Sequence, residues 1–138
     1  MKVFNLIVGI AHIVAAIFTL VFFAIIMLDE SVREIFSGIN VYKIHSVIFG
    51  ALLMLAGGVF VVKKSKYGVY FLVLSMITYV VGASYEIILE HGVLFYKNIM
   101  VNYFYSSGVR VFGVALAALS VFLVNPANKL LKERDREN

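Results

Sequence analysis

The chain has 138 residues, of which 62% are hydrophobic and only 14% are charged, and its formal net charge is +4. A soluble domain of this length is usually about half apolar and about a quarter charged, so the composition excludes a soluble protein and predicts a chain integral to a membrane. The absence of cysteine excludes disulfides, thiolate metal sites, palmitoylation and a cysteine nucleophile.

The first predicted span covers residues 3–28, more than the roughly 20 apolar residues that cross a bilayer. Its small and polar residues fall on one stripe at helical spacing, namely Asn5, Gly9, His12, Ala16 and Thr19. After this span, Ser31 and Glu34 have the spacing of a helix capping box. The segment that they begin is either a short amphipathic helix in the membrane interface or an ordinary polar loop.

The second and third spans are predicted at residues 44–62 and 67–89, and only the turn KKSK joins them. So short a connection requires a tight antiparallel hairpin. Each helix has a close-packing face of small or polar residues: Ser46, Gly50 and Gly57 on the second, and Ser75, Thr78 or Tyr79, Gly82 and Glu86 on the third.

The fourth span, residues 104–124, follows an aromatic stretch, residues 90–105, that is typical of an interfacial belt with a partly embedded loop. One face of the span is small or polar, which indicates a helix with one side turned to protein. This face consists of Ser106, Arg110, Gly113, Ala117 and Ser120. Asn125-Pro126 is a turn signal that ends the span, and residues 129–138 read as a charged, helical, soluble tail.

The predicted fold is therefore an all-α membrane protein, with four transmembrane helices in an antiparallel bundle over residues 1–128. VFNLIVGIAHIVAA aligns with VYFLVLSMITYVVG at constant offset, which indicates either a duplicated helical hairpin or a chance similarity between apolar segments. The residues predicted to let the helices pack closely are Gly9, Ala16, Ser46, Gly50, Gly57, Gly82, Gly113 and Ala117.

The distribution of lysine and arginine predicts the orientation in the membrane. Eight of these residues lie at the end of the bundle that holds both termini and the KKSK turn, and three lie in the two longer loops at the other end. Because cytoplasmic loops carry the excess of positive charge, we expect both termini in the cytoplasm of a multi-pass cell-membrane protein.

Glu86 and Arg110 are the charged residues predicted to lie inside the spans. They differ in depth by about 5 Å on consecutive helices, within reach of an arginine side chain. The simplest interpretation is an intramembrane ion pair that sets the register of the third and fourth spans. The alternatives are a gated pair on an ion or proton path, or an Arg110 that reaches outward to lipid phosphate.

His12 lies about 14 Å inside the first span, near the middle of the bilayer. The simplest interpretation is a neutral imidazole hydrogen-bonded to a neighbouring helix. The alternatives are a haem or soft-metal ligand, with Met54 or Met76 at similar depth, and a proton relay from Glu86 through Tyr79 and Thr78.

No P-loop, Rossmann glycine motif, HExxH motif or Ser/His/Asp grouping occurs in the sequence. We therefore expect a non-enzymatic accessory or structural subunit of a larger membrane assembly, without cofactor or resident metal. Its expected partners are the lipid bilayer and other membrane subunits or copies of itself, not nucleic acid. The alternatives are a small transporter or ion/proton pathway using Glu86, Arg110 and His12, and a membrane redox subunit with His12 as ligand.

The predicted topology is testable because the chain has no cysteine of its own. In intact cells, cysteines introduced as Ser37→Cys and Asn98→Cys should react with a membrane-impermeant thiol reagent, and Lys64→Cys should not. External labelling of Lys64→Cys would overturn the orientation derived from charge.

Overall fold

The computed structural model describes the backbone of residues 2–30 and 41–137, and the side chains of residues 3–30, 45–82 and 108–137. The described backbone is almost entirely helical and contains no strand, so the predicted all-α class is confirmed. Helix α1 is Lys2–Leu28, α2 is Val41–Val62 and α3 is Tyr67–Ala118, and the π-helical turn Leu119–Val124 joins α3 to α4, Asn125–Glu137.

Three segments among the described residues are long and apolar enough to cross a membrane: Val3–Leu28, His45–Val62 and Gly108–Glu137. Tyr67–Gly82 is a shorter apolar helical segment. The remainder of the predicted third span, including Glu86, lies outside the residues whose side chains are described, as does the capping-box segment after Glu30. The chain thus has the helices of a small integral membrane protein.

The two described ends of α3 lie side by side, although α3 is assigned as one helix. The Cζ atom of Arg110 is 3.8 Å from the centre of the Tyr79 ring. In a straight helix these residues would be about 46 Å apart, at 1.5 Å per residue. The chain therefore reverses direction between Gly82 and Gly108, although the backbone of residues 90–105, predicted as a partly embedded loop, is helical.

Four helical segments consequently form an antiparallel bundle: α1, α2, the first part of α3 and the last part of α3. Each segment contributes to one core cluster, which consists of Val8, Val61, Val69, Leu72 and Ala117 together with Val121 from the π-helical turn. α2 packs against α1 on one side and against α3 on the other. The last part of α3 returns beside α1, where Gly113 lies against His12.

Two adjacent glycines of α2, Gly57 and Gly58, allow α3 and α1 to approach closely. A Cβ atom added to Gly58 would lie 2.8 Å from the carbonyl oxygen of Gly9 in α1. One added to Gly57 would lie 2.7 Å from the side chain of Leu72 and 3.1 Å from the carbonyl oxygen of Gly68, both in α3. Backbone therefore meets backbone at both crossings, which only small residues permit.

The C-terminus of α2 is closed by a Schellman motif, in which Lys64 takes the place usually held by glycine. The Lys64 amide donates to Val61 O at 2.9 Å, and the Ser65 amide donates to Phe60 O at 2.9 Å. Lys64 has a φ of 59°, the left-handed region that costs a residue with a Cβ atom about 1–2 kcal/mol. This motif makes the short turn into α3.

The turn predicted at Asn125-Pro126 is wrong, because the backbone stays helical there. Asn125 has φ −67° and ψ −49°, and α4 continues directly from the π-helical turn. A proline ring clashes with the carbonyl group one turn earlier in a regular α-helix. The wider π-helical turn before Pro126 accommodates the ring, so the helix continues.

The adjacent glycines of α2 lead to a stability prediction. Gly58→Ala should lower the free energy of unfolding in detergent by about 1–3 kcal/mol, because its Cβ atom would meet backbone that cannot move without separating α1 from α2. The matched control is Gly108→Ala, where nothing lies within 4 Å of the added atom. That change should be neutral or gain up to about 1 kcal/mol from helix propensity. Equal losses in the two variants would contradict the close crossing.

Candidate functional site

A small cavity lies inside the bundle, and all four helical segments contribute to it. Its volume is about 30 Å³, and its lining residues are His12, Met54, Leu72, Ser75, Met76, Arg110 and Val114. A water molecule needs roughly 10–15 Å³ of such volume together with two to four polar partners. The cavity therefore has room for one or two water molecules beside His12, Ser75 and Arg110.

Arg110 is half-buried and lies over the face of Tyr79. The distance of 3.8 Å between its Cζ atom and the ring centre is well inside the range of a cation–π interaction. This contact places the positive charge on the negative face of an aromatic ring, where lipid would offer no compensation. Glu86, the predicted ion-pair partner, lies outside the described side chains, so that pairing stays a prediction.

His12 forms its hydrogen bond within its own helix. The distance from its Nδ1 atom to Val8 O is 2.8 Å. Because a carbonyl oxygen can only accept, this bond requires the proton on Nδ1 and leaves Nε2 of the neutral ring as an acceptor. The bond that the described residues show is therefore one to the preceding turn of α1. Gly113 leaves room for the Nε2 edge, which an added Cβ atom would approach to 2.9 Å.

Among the described residues, the hydroxyl groups of Thr19, Ser75, Thr78 and Ser120 donate to main-chain carbonyl groups. Ser75 donates across the helix interface to Gly50 O. Thr78 donates to Leu74 O at 2.8 Å within its own helix, and neither Thr78 nor Tyr79 lines the cavity. The relay from Glu86 to His12 through Tyr79 and Thr78 stays a prediction, because Glu86 lies outside the described side chains.

Met54 and Met76 lie beside His12 in the cavity, the grouping on which the haem or soft-metal hypothesis depends. Cofactor sites usually have a volume of about 300–1,000 Å³, far above the 30 Å³ found here. Arg110 also lines the cavity, and its positive charge opposes a bound cation. Among the described residues, no three His, Cys, Asp or Glu side chains are grouped as metal ligands.

A second polar cluster, not predicted from the sequence, joins the start of α1 and the start of α4 to the KKSK turn. Asn5 is only 1% exposed, and its Nδ2 atom donates to Asn125 Oδ1 at 2.9 Å. Asn125 Nδ2 donates in turn to Lys64 O at 3.4 Å. Within the described part of the chain, Asn5 Oδ1 has no hydrogen-bond partner. The sequence signal that could have predicted this cluster is the position of Asn5 and Asn125 at the same end of two helices of one bundle.

The cation–π contact predicts unequal effects at Tyr79. Tyr79→Phe keeps the aromatic face and should change stability little, whereas Tyr79→Leu should lower the free energy of unfolding by about 1–2 kcal/mol. Chemical denaturation in detergent, repeated in an Arg110→Met background, measures the coupling. If Tyr79→Leu is as costly in that background as in the original chain, the two side chains do not interact.

No model of a protein family, no curated protein and no solved structure matches this chain. Its function must therefore be argued from its own residues and their geometry.

Proposed function

We propose that this protein is a non-enzymatic accessory or structural subunit of a larger membrane assembly. The observation that carries the proposal is that the polar side chains around the central cavity are engaged in contacts within the bundle. Ser75 bonds Gly50 O, His12 bonds Val8 O, and Arg110 covers the ring of Tyr79. The contacts of Ser75 and Arg110 each join two helical segments, whereas that of His12 holds its ring against its own helix. The cavity between them has room for only one or two water molecules.

The outer surface supports the same proposal. Along α1, large apolar side chains remain exposed over most of the circumference, with Phe18 at 74%. Phe49 of α2 and Phe112 of α3 are exposed as well. In a membrane such faces contact either lipid or the helices of another protein, and aromatic side chains add large contact areas to helix interfaces.

The rival function is a small transporter or an ion or proton pathway. It is favoured by one observation, that His12 and Arg110 line the same cavity. A pathway also needs polar groups or water that continue to both membrane surfaces. Apart from Ser75, whose hydroxyl group bonds Gly50 O, the other cavity walls are apolar, namely Met54, Met76, Leu72 and Val114. We therefore favour the structural role for this layer of the bundle.

Site-specific photocrosslinking in the native membrane tests the subunit role. A photoreactive amino acid replaces Phe18, Phe49 or Phe112 in turn, and the buried Leu72 is the matched control position. We expect at least one exposed position to give a discrete adduct with a different protein, and Leu72 to give none. Adducts with lipid alone at all three positions would contradict the proposal, and adducts only between copies of this chain would favour the rival function.

Reconstitution of the purified chain in liposomes tests the rival directly. With a pH-sensitive dye inside the vesicles and an imposed pH gradient, we expect no proton flux above that of protein-free vesicles. Flux that His12→Gln abolishes, with the variant still folded by circular dichroism, would establish the pathway and refute the structural role of the cavity.

A further inference from the structure

A second and larger pocket lies where α2 ends and α4 begins, at the end of the bundle that holds the KKSK turn. Its volume is about 480 Å³, and its polar lining consists of Lys64, Asn125, Asn128, Lys129, Lys132 and Asp135. Three lysines face one aspartate, so the pocket carries a net positive charge. Asn125 and Asn128 add amide groups that can donate hydrogen bonds.

Lys64 gives this pocket a feature that helix capping does not explain. The position at which a Schellman motif favours glycine holds a lysine with φ 59°, and this lysine lines the pocket. Backbone in the left-handed region is unfavourable for a residue with a Cβ atom, and glycine would avoid this cost. The Lys64 carbonyl group also accepts the hydrogen bond from Asn125, so the turn is held against the start of α4.

We propose that this pocket binds a phosphate group, and that its source is the headgroup of an anionic lipid. Ammonium groups attract phosphate as point charges, and the asparagine amides orient its oxygens. Lys129 is 3.9 Å from Glu133, but both side chains are mostly exposed, so this ion pair is weak and a phosphate can compete for the lysine.

The position of the pocket favours lipid over a soluble phosphate. Basic clusters directly beside the end of a membrane span attract anionic headgroups. Leu131 also lines the pocket and is half-exposed, and the neighbouring Leu130 is 67% exposed. Apolar side chains beside lysines suit a headgroup whose acyl chains enter the bilayer, as on amphipathic helices at the membrane surface.

Native mass spectrometry of the full chain in detergent tests the proposal, with phosphatidylglycerol, phosphatidylcholine and inorganic phosphate as separate probes. We expect phosphatidylglycerol to bind more tightly than phosphatidylcholine. Lys64→Gly, Lys129→Gln and Lys132→Gln should each weaken binding about five-fold, the effect of one lysine near a charged membrane surface. Asp135→Asn should strengthen it, because the opposing charge is removed.

The turn supplies both a stability check and a matched control. Lys64→Gly removes the charge and relieves the left-handed backbone, so the variant should melt no lower than the original chain while binding more weakly. Lys63→Gln removes one charge from the same turn at a residue that does not line the pocket, and it should change binding little.

The measurements distinguish a lipid site, a site for soluble phosphate and the absence of a phosphate site. Tight binding of phosphatidylglycerol that depends on Lys64, Lys129 and Lys132 supports the lipid site. Binding of inorganic phosphate that depends on the same lysines, without preference between the two lipids, keeps the phosphate site but overturns its assignment to lipid. Equal binding of all probes, or an equal loss of affinity in Lys63→Gln, would show that the pocket is not a phosphate site.

Discussion

The bundle depends on how closely α2 approaches its two neighbours. Between helices in lipid there is no hydrophobic driving force, so their association rests on van der Waals contact and on hydrogen bonds. Consecutive residues on a helix point about 100° apart, at 3.6 residues per turn. Gly57 and Gly58 therefore open two faces of α2 at one level, one toward α3 and one toward α1. A larger residue at either position would separate backbones that are now in contact.

The polar residues of the bundle are arranged around this crossing. His12 lies about one helical turn from Gly9, and its ring fits between helices because Gly113 has no side chain. At this level the bulkier Met54, Met76 and Arg110 keep the helices from closing completely, and the small cavity results. Arg110 lies over the face of Tyr79, which offsets part of the cost of its charge in the apolar layer.

One to two helical turns from this crossing, at the end of the bundle that holds the KKSK turn, polar side chains join three elements. The chain Asn5–Asn125–Lys64 connects the start of α1, the start of α4 and the turn after α2. Because the π-helical turn carries the helix past Pro126, α4 places its lysines beside Lys64 and not on a separate flexible tail. The proposed phosphate site therefore depends on the continuation of the helix beyond the apolar span.

The sequence by itself determined that the chain is helical and apolar enough for a membrane, since the length and hydropathy of a span are local properties. It also indicated which helix faces pack, because small residues recur at helical spacing. Tertiary structure alone decided which face meets which helix: that Gly58 serves α1 while Gly57 serves α3, and that Arg110 lies on Tyr79. Tertiary structure also decided that Lys64 lines a pocket together with α4. That pocket depends on the π-helical turn before Pro126, a residue that the sequence predicts to end the helix. Periodicity gives the direction in which a side chain points from the axis of its own helix. Which residue it meets on another helix depends on the rotation and register of the two helices, which no local pattern encodes.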